Sequence, residues 1–116
     1  MSPASFVLSM VLAAACFIPA HAKLRAHPKM LAAAEHFGIP WARYRLIGVL
    51  ELAAAGGVLF GLAWHLFGVV AAVGMCVLLA GALVAHRHAG DRFTHALPAA
   101  VTLGVSLVYI GTSIAR

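Results

Sequence analysis

Acidic side chains are almost absent from this sequence. Only three of its 116 residues are aspartate or glutamate, and charged residues of both signs make up 9%. A soluble domain usually carries about 25% charged residues. Because 64% of the residues are hydrophobic, polar groups could not cover the surface of this chain in water. The composition therefore excludes an ordinary soluble domain, and the length predicts a single domain over residues 1–116.

Several motifs of catalysis and binding are also missing. The sequence has no nucleophile elbow, phosphate-binding loop or haem motif, and three acidic residues make a catalytic carboxylate pair hard to build. The two cysteines, Cys16 and Cys76, lie in apolar stretches without a C-x-x-C motif, so we expect buried thiols rather than a disulfide. The net charge is +5, but no basic and aromatic groove is visible. We expect no nucleic-acid partner.

Four apolar stretches fill most of the chain. A helix needs roughly 20 apolar residues to cross the hydrocarbon core of a bilayer, and stretches of this length occupy about residues 3–22, 44–63, 66–85 and 96–115. The sequence thus predicts an all-α polytopic membrane protein, a four-transmembrane-helix antiparallel bundle in a lipid bilayer. No Lys or Arg precedes the first stretch, so we expect a retained helix rather than a cleaved signal peptide.

The connection between the first two stretches is the longest. Pro28 suits the start of a helix, and Gly38 with Pro40 suits its end. This pattern predicts a short interfacial helix between helices 1 and 2 that lies on the membrane surface, with an irregular loop as the alternative. Pro19 is expected to loosen the last turn of the first helix, because proline cannot donate the backbone hydrogen bond.

Basic residues predict the orientation in the membrane. Seven of the eight lysines and arginines fall in the first and third connections, and Arg116 stands alone on the other side. Connections rich in Lys and Arg face the cytoplasm. The sequence therefore predicts a multi-pass protein with both termini outside. The seven residues are Lys23, Arg25, Lys29, Arg43, Arg45, Arg87 and Arg92.

Glu51 is the ionisable residue within the second apolar stretch. Such groups are costly in a bilayer and usually face a partner, a cavity or a transport path. The expected topology brings Lys23, His86 and His95 to the same end of the molecule. We therefore predict a ligand-binding or polar site made of these four residues, with a purely structural pairing of Glu51 as the alternative. The sequence assigns no catalytic residue.

The third connection is rich in histidine. His86, His88 and His95 with Asp91 have the chemistry of metal ligands, but their spacing matches no closed zinc motif. A solvated polar link over residues 86–95 is favoured, and we predict no metal site.

Small residues recur within the second stretch. Ala53, Gly57 and Gly61 are spaced by four residues and are expected to face a neighbouring helix, because small side chains allow backbones to approach closely.

Short motifs along the chain carry a family resemblance. Lys23-Leu24 follows the first helix, a turn at Pro40 comes next, and the runs Ile47–Ala53 and Gly81–Arg87 complete the pattern. The chain resembles the DoxX-like family of small four-helix bacterial membrane proteins. In that family the recurring polar positions correspond to those of Lys23, Glu51 and His86.

The resemblance implies a location and two functions. The family takes its name from a subunit linked to a thiosulfate:quinone oxidoreductase, and related proteins belong to membrane redox complexes. We expect a bacterial cytoplasmic (inner) membrane protein that is a small-molecule-binding or accessory subunit of a membrane complex. The alternative is a membrane enzyme or a quinone-linked oxidoreductase component acting on a lipophilic substrate. A quinone is the candidate cofactor and redox complex subunits are the candidate partners. Catalysis and the oligomeric state are left open.

Overall fold

The computed structural model describes residues 3–114 and folds them into five α-helices, with no strand in that range. This confirms the predicted all-α class. The helices are α1 (Pro3–Leu24), α2 (Pro28–Phe37), α3 (Trp41–Phe60), α4 (His65–His88) and α5 (Phe93–Ile114).

Three of the five helices, α1, α4 and α5, are long and apolar enough to cross a membrane. The helix α3 has 20 residues, but it does not belong to this group, because it carries three charged side chains, those of Arg43, Arg45 and Glu51. Large apolar side chains are exposed on the outer faces of the helices, with Val70 at 73%, Phe93 at 72% and Ile114 at 71%. Apolar surface on this scale suits contact with lipid rather than water.

The short helix α2 begins and ends at the predicted residues. Pro28 is its first residue, and the His27 ring Nδ1 accepts a hydrogen bond from the Lys29 backbone N–H at 3.1 Å. Gly38 ends the helix in the left-handed conformation with φ 67°, which glycine adopts without strain. The helix is therefore present, while its position on a membrane surface stays a prediction.

The connection between α4 and α5 is shorter than predicted. The expected polar link over residues 86–95 is wrong in extent, because α4 continues to His88 and α5 already begins at Phe93. Cationic side chains are favoured in the last turn of a helix, where the macrodipole is negative. The basic residues at the end of α4 are therefore compatible with a helix and do not indicate a loop. The helix α1 likewise runs through Pro19 to Leu24 without a break.

The buried core is built mainly from small and medium side chains of α1, α3, α4 and α5. Cys16 belongs to this core, whereas Cys76 is partly exposed, and both are free thiols. The largest core side chain is Tyr109 on α5, whose hydroxyl lies against Gly61 and Gly68. The core comprises Leu12, Ala13, Cys16, Ala54, Ala55, Val58, Ala72, Met75, Leu79 and Tyr109.

The small-residue stripe of α3 faces other helices at two of its three positions. A Cβ atom on Gly57 would lie 2.7 Å from the Cβ of Ala71 on α4, and Gly61 lies against Gly68 of the same helix. Ala53, however, is exposed, so the prediction is wrong there. A spacing of four residues drifts by about 40° per step around a helix with 3.6 residues per turn. That drift carries Ala53 off the packed face.

Candidate functional site

A cavity of about 1150 Å³ lies where α1 ends and α3 begins. All five helices contribute to its wall, which is mainly apolar and partly open to the surroundings. Pockets that bind small molecules are typically apolar with a few placed polar groups. The polar side chains on this wall are Lys23, Lys29, His36, Tyr44, Glu51, His86, Asp91, His95 and Thr102.

A buried ion pair forms one part of the cavity wall. The Lys23 Nζ donates a hydrogen bond to the Glu51 Oε1 at 2.7 Å, and each side chain is 9% exposed. Gly48 allows this approach of α1 to α3, since a Cβ atom there would lie 2.7 Å from the Cβ of Lys23. Buried charges are stable only when they are paired, so each of these residues makes the burial of the other tolerable.

Tyr44 lies beside the ion pair. The Lys23 Nζ is 5.1 Å from the centroid of the Tyr44 ring, which is the geometry of a cation–π contact. Tyr44 precedes Glu51 by seven residues, about two helical turns, so both side chains lie on one face of α3. Sequence reasoning missed this contact, although the seven-residue spacing of Tyr44 and Glu51 could have indicated it.

A second polar cluster connects α2 to α4 through the loop before α5. The Asp91 Oδ1 lies 2.7 Å from the His36 Nε2, and its Oδ2 lies 2.7 Å from the His86 Nδ1. An ionised carboxylate only accepts hydrogen bonds, so both histidines donate at these nitrogens. The Phe37 ring also packs edge-on against His86, with ring centroids 5.0 Å apart. We call His36, Asp91 and His86 the carboxylate bridge.

The remaining histidines of this end have separate positions. His95 lies in the first turn of α5, is exposed and lines the cavity, whereas His88 is outside it. Within residues 3–114, no group of three or more His, Cys, Asp or Glu side chains is arranged to hold a metal ion.

The sequence model of the DoxX-like family matches residues 7–109, which is most of the chain. The chain belongs to the DoxX-like family. Comparison with curated proteins and with solved structures gives no significant match. Membership assigns the chain to a family, but it assigns no ligand, partner or reaction.

The four residues singled out from the sequence of this DoxX-like protein line one cavity. Lys23 and Glu51 form the ion pair, His86 belongs to the carboxylate bridge, and His95 stands apart from both. Their role in binding stays a prediction. Sequence reasoning missed His36, because nothing local in α2 indicates a contact with a carboxylate 55 residues away.

Hydrogen bonds hold Asp91 in its ionised form. The bond from His36, and then the bond from His86, keeps the pKa of the Asp91 carboxyl below its ordinary value, against the opposing effect of desolvation. A depressed pKa means that the bridge stabilises the fold fully above the ordinary aspartate pKa of about 3.9. This stabilisation is lost as the pH falls through the lower pKa of the folded protein.

Replacing Asp91 by asparagine is expected to loosen α2. His36 and His86 contact different oxygens of the carboxylate. In asparagine one of these oxygens becomes an NH2 donor and the charge is lost, so one histidine N–H faces a donor instead of an acceptor. Hydrogen exchange of the α2 amides at neutral pH should become faster, and lowering the pH below about 4 should add little further loosening in this variant. The control is Glu35→Gln, which removes an exposed acidic group from α2 itself. Unchanged protection of α2 in Asp91→Asn would show that the bridge does not hold this helix.

Proposed function

We propose that this DoxX-like protein is an integral membrane protein that binds a small lipophilic molecule with a polar end. It does so as a binding protein or as an accessory subunit of a membrane complex. The observation that supports this is the cavity of about 1150 Å³, with its apolar wall and its buried pair of Lys23 and Glu51. Ligand pockets typically have volumes of about 300–1000 Å³, so there is room for an amphiphile of moderate size.

The proposed arrangement in the membrane has four crossing helices, α1, α3, α4 and α5. The charges of α3 are compatible with this, because Arg43 and Arg45 lie in its first turns, where long basic side chains extend to the lipid head groups, and Glu51 is paired. The helix α2, which carries Lys29, would lie along the membrane surface at the cavity end. The four crossing helices then form an antiparallel bundle.

The orientation follows from the basic residues. With the connections after α1 and after α4 in the cytoplasm of a bacterium, both termini lie outside the inner membrane. A reporter fused after Arg116 that is active only in the periplasm should therefore be active, and a reporter that is active only in the cytoplasm should be inactive. Fusions after Arg87 should give the reverse pattern. A cytoplasmic signal after Arg116 would overturn the orientation and leave the number of helices unaffected.

Native mass spectrometry of the purified protein in detergent tests the binding function. The wild-type chain should carry a bound molecule of defined mass, and Gly81→Leu should lose it, because Gly81 lines the cavity. The matched control is Gly74→Leu on the same helix, which does not line the cavity. A Cβ atom meets no other atom within 4 Å at either position, so both variants should fold. Equal occupancy in the two variants would contradict binding in this cavity.

The mass of the bound molecule also separates the proposal from its alternative. A quinone would favour the quinone-linked oxidoreductase component, and another amphiphile would favour the binding protein. An empty cavity together with a copurified membrane subunit would favour a purely accessory function.

A further inference from the structure

The ion pair of Lys23 and Glu51 leaves hydrogen-bonding groups unused on the cavity wall. A lysine ammonium has three N–H donors, and a carboxylate has two acceptor oxygens. Within residues 3–114, the one hydrogen bond of either side chain joins the Lys23 Nζ to the Glu51 Oε1 at 2.7 Å. Two N–H groups of Nζ and the whole of Oε2 therefore have no hydrogen-bonding partner in that range. Both residues line the cavity, although each side chain is only 9% exposed.

The neighbouring side chains do not use these groups. The Tyr44 ring covers one side of the Lys23 ammonium, with the ring centroid 5.1 Å from Nζ, and this contact is made by the face of the ring. The other acidic residue on the wall is different, because both oxygens of Asp91 accept a hydrogen bond from a histidine. The ion pair is therefore the place on the wall where a carboxylate oxygen is left for a ligand.

The unused groups define the chemistry of a ligand that fits them. Nζ and Oε1 are 2.7 Å apart, and Oε2 belongs to the same carboxylate, so one small polar group can contact both residues. That group must accept a hydrogen bond from the ammonium and donate one to Oε2. A hydroxyl does both at a single oxygen atom. An anionic head group would be repelled by Glu51, and a cationic one by Lys23, because the two charges lie side by side.

The same requirement disfavours ligands without a donor. Water that enters the cavity can form these two hydrogen bonds, and displacing ordered water lowers the affinity unless the ligand reproduces its bonds. An ether or a hydrocarbon cannot donate to Oε2 and would leave a buried carboxylate oxygen without a partner, which is costly.

We propose that the cavity binds an uncharged lipid alcohol, whose hydroxyl group accepts a hydrogen bond from Lys23 and donates one to Glu51. The tail of this ligand lies along apolar wall residues such as Ile47, Met75 and Leu79. This inference rests on the proposed binding function and adds to it the head group of the ligand and the two residues that contact it.

The test compares four ligands with one tail. Dodecan-1-ol, its methyl ether 1-methoxydodecane, dodecane-1-sulfonate and dodecyltrimethylammonium are titrated onto the full chain in a non-ionic detergent, and native mass spectrometry measures the bound fraction. We expect the alcohol to bind about tenfold more tightly than the ether, the difference that one hydrogen bond to a charged group supplies. The two charged ligands should bind more weakly than the alcohol. Tighter binding of either charged ligand would refute the uncharged head group.

Two variants of the ion pair locate the hydroxyl group. Lys23→Met with Glu51→Leu removes both polar groups, so the alcohol should lose its preference over the ether. Lys23→Arg keeps the cation and the pair, but a guanidinium bonds both carboxylate oxygens at once. It should therefore fold and also reduce the preference, which a purely structural role of the pair would not produce. An unchanged preference in a folded Lys23→Arg protein overturns the inference.

The matched control removes one basic and one acidic side chain elsewhere. Arg25→Met with Glu35→Leu makes this change at exposed positions outside the cavity and should keep the preference for the alcohol. If this control loses the preference as fully as the variants of the ion pair do, the cause is the general charge of the protein and the inference is refuted.

The remaining outcomes separate this inference from the proposed function. If the ether binds as tightly as the alcohol, and Gly81→Leu abolishes the binding of both, the cavity binds lipophilic molecules but the hydroxyl head group is refuted. If none of the four ligands binds, or if Gly81→Leu leaves their binding unchanged, the proposed function fails and this inference fails with it.

Discussion

Replacing Glu51 by glutamine is expected to lower the free energy of unfolding by about 3–5 kcal/mol, the usual cost of removing one partner of a buried ion pair. The glutamine amide can still accept a hydrogen bond, but it leaves the charge of Lys23 uncompensated in a place where its side chain is only 9% exposed. Unfolding in detergent, followed by circular dichroism, measures the effect. The same loss is expected from Lys23→Met, which leaves the carboxylate without its cation.

The double variant Lys23→Met with Glu51→Leu is the control for this prediction. Exchange of a whole buried pair for apolar side chains is often neutral or stabilising, so the double variant should recover most of the lost stability. If the double variant folds as expected, its ligand binding shows whether the pair also contacts a ligand. If the single variants are as stable as the wild type, the pair does not stabilise the fold, and a role of Glu51 in binding gains support.

Replacing Gly57 by leucine is expected to disrupt the packing of α3 on α4. A Cβ atom alone would lie 2.7 Å from the Cβ of Ala71, so the rest of a leucine side chain can be placed only if α3 and α4 move apart. Overpacking of this kind typically costs about 1–3 kcal/mol and sometimes more. The midpoint of thermal unfolding in detergent should fall clearly.

Replacement of the neighbouring Gly56 by leucine is the matched control for Gly57→Leu. At Gly56 a Cβ atom meets no other atom within 4 Å, so Gly56→Leu changes the same residue type in the same helix without a collision. Both variants gain the same helix propensity relative to glycine. A fall in stability for both would indicate that α3 needs flexibility at this glycine pair, and no fall for either would refute the close packing of α3 on α4.

Local signals in the sequence were sufficient where backbone chemistry decides the structure. Pro28 and Gly38 predicted the ends of α2, since proline fits the first turn of a helix and glycine accepts the left-handed conformation that ends one. The scarcity of acidic residues also made Glu51 conspicuous. With only three acidic groups in the chain, the number of pairings to consider was small, and Lys23 was among the candidates.

Contacts set by tertiary packing were beyond the reach of sequence patterns. The approach of His36 to Asp91 depends on how α2 lies across the cavity, and this position is not encoded in the periodicity of either segment. The polar residues at the end of α4 were misread for a related reason. His86 and Arg87 are polar in sequence but helical in structure, because a helix terminus stabilises basic side chains as well as a loop does.

The pair of Lys23 and Glu51 also constrains the order in which the chain is assembled. During synthesis α1 is complete before α3 has emerged, so Lys23 at first lacks its partner Glu51. At the membrane surface its long side chain can keep the ammonium group in water. Glu51 is synthesised later and lies further from a helix end, and its shorter side chain cannot place its carboxylate in water in the same way. If α3 crosses the membrane as proposed, we expect its insertion to be completed against α1 rather than in lipid alone, because Lys23 is the partner that makes the burial of Glu51 tolerable.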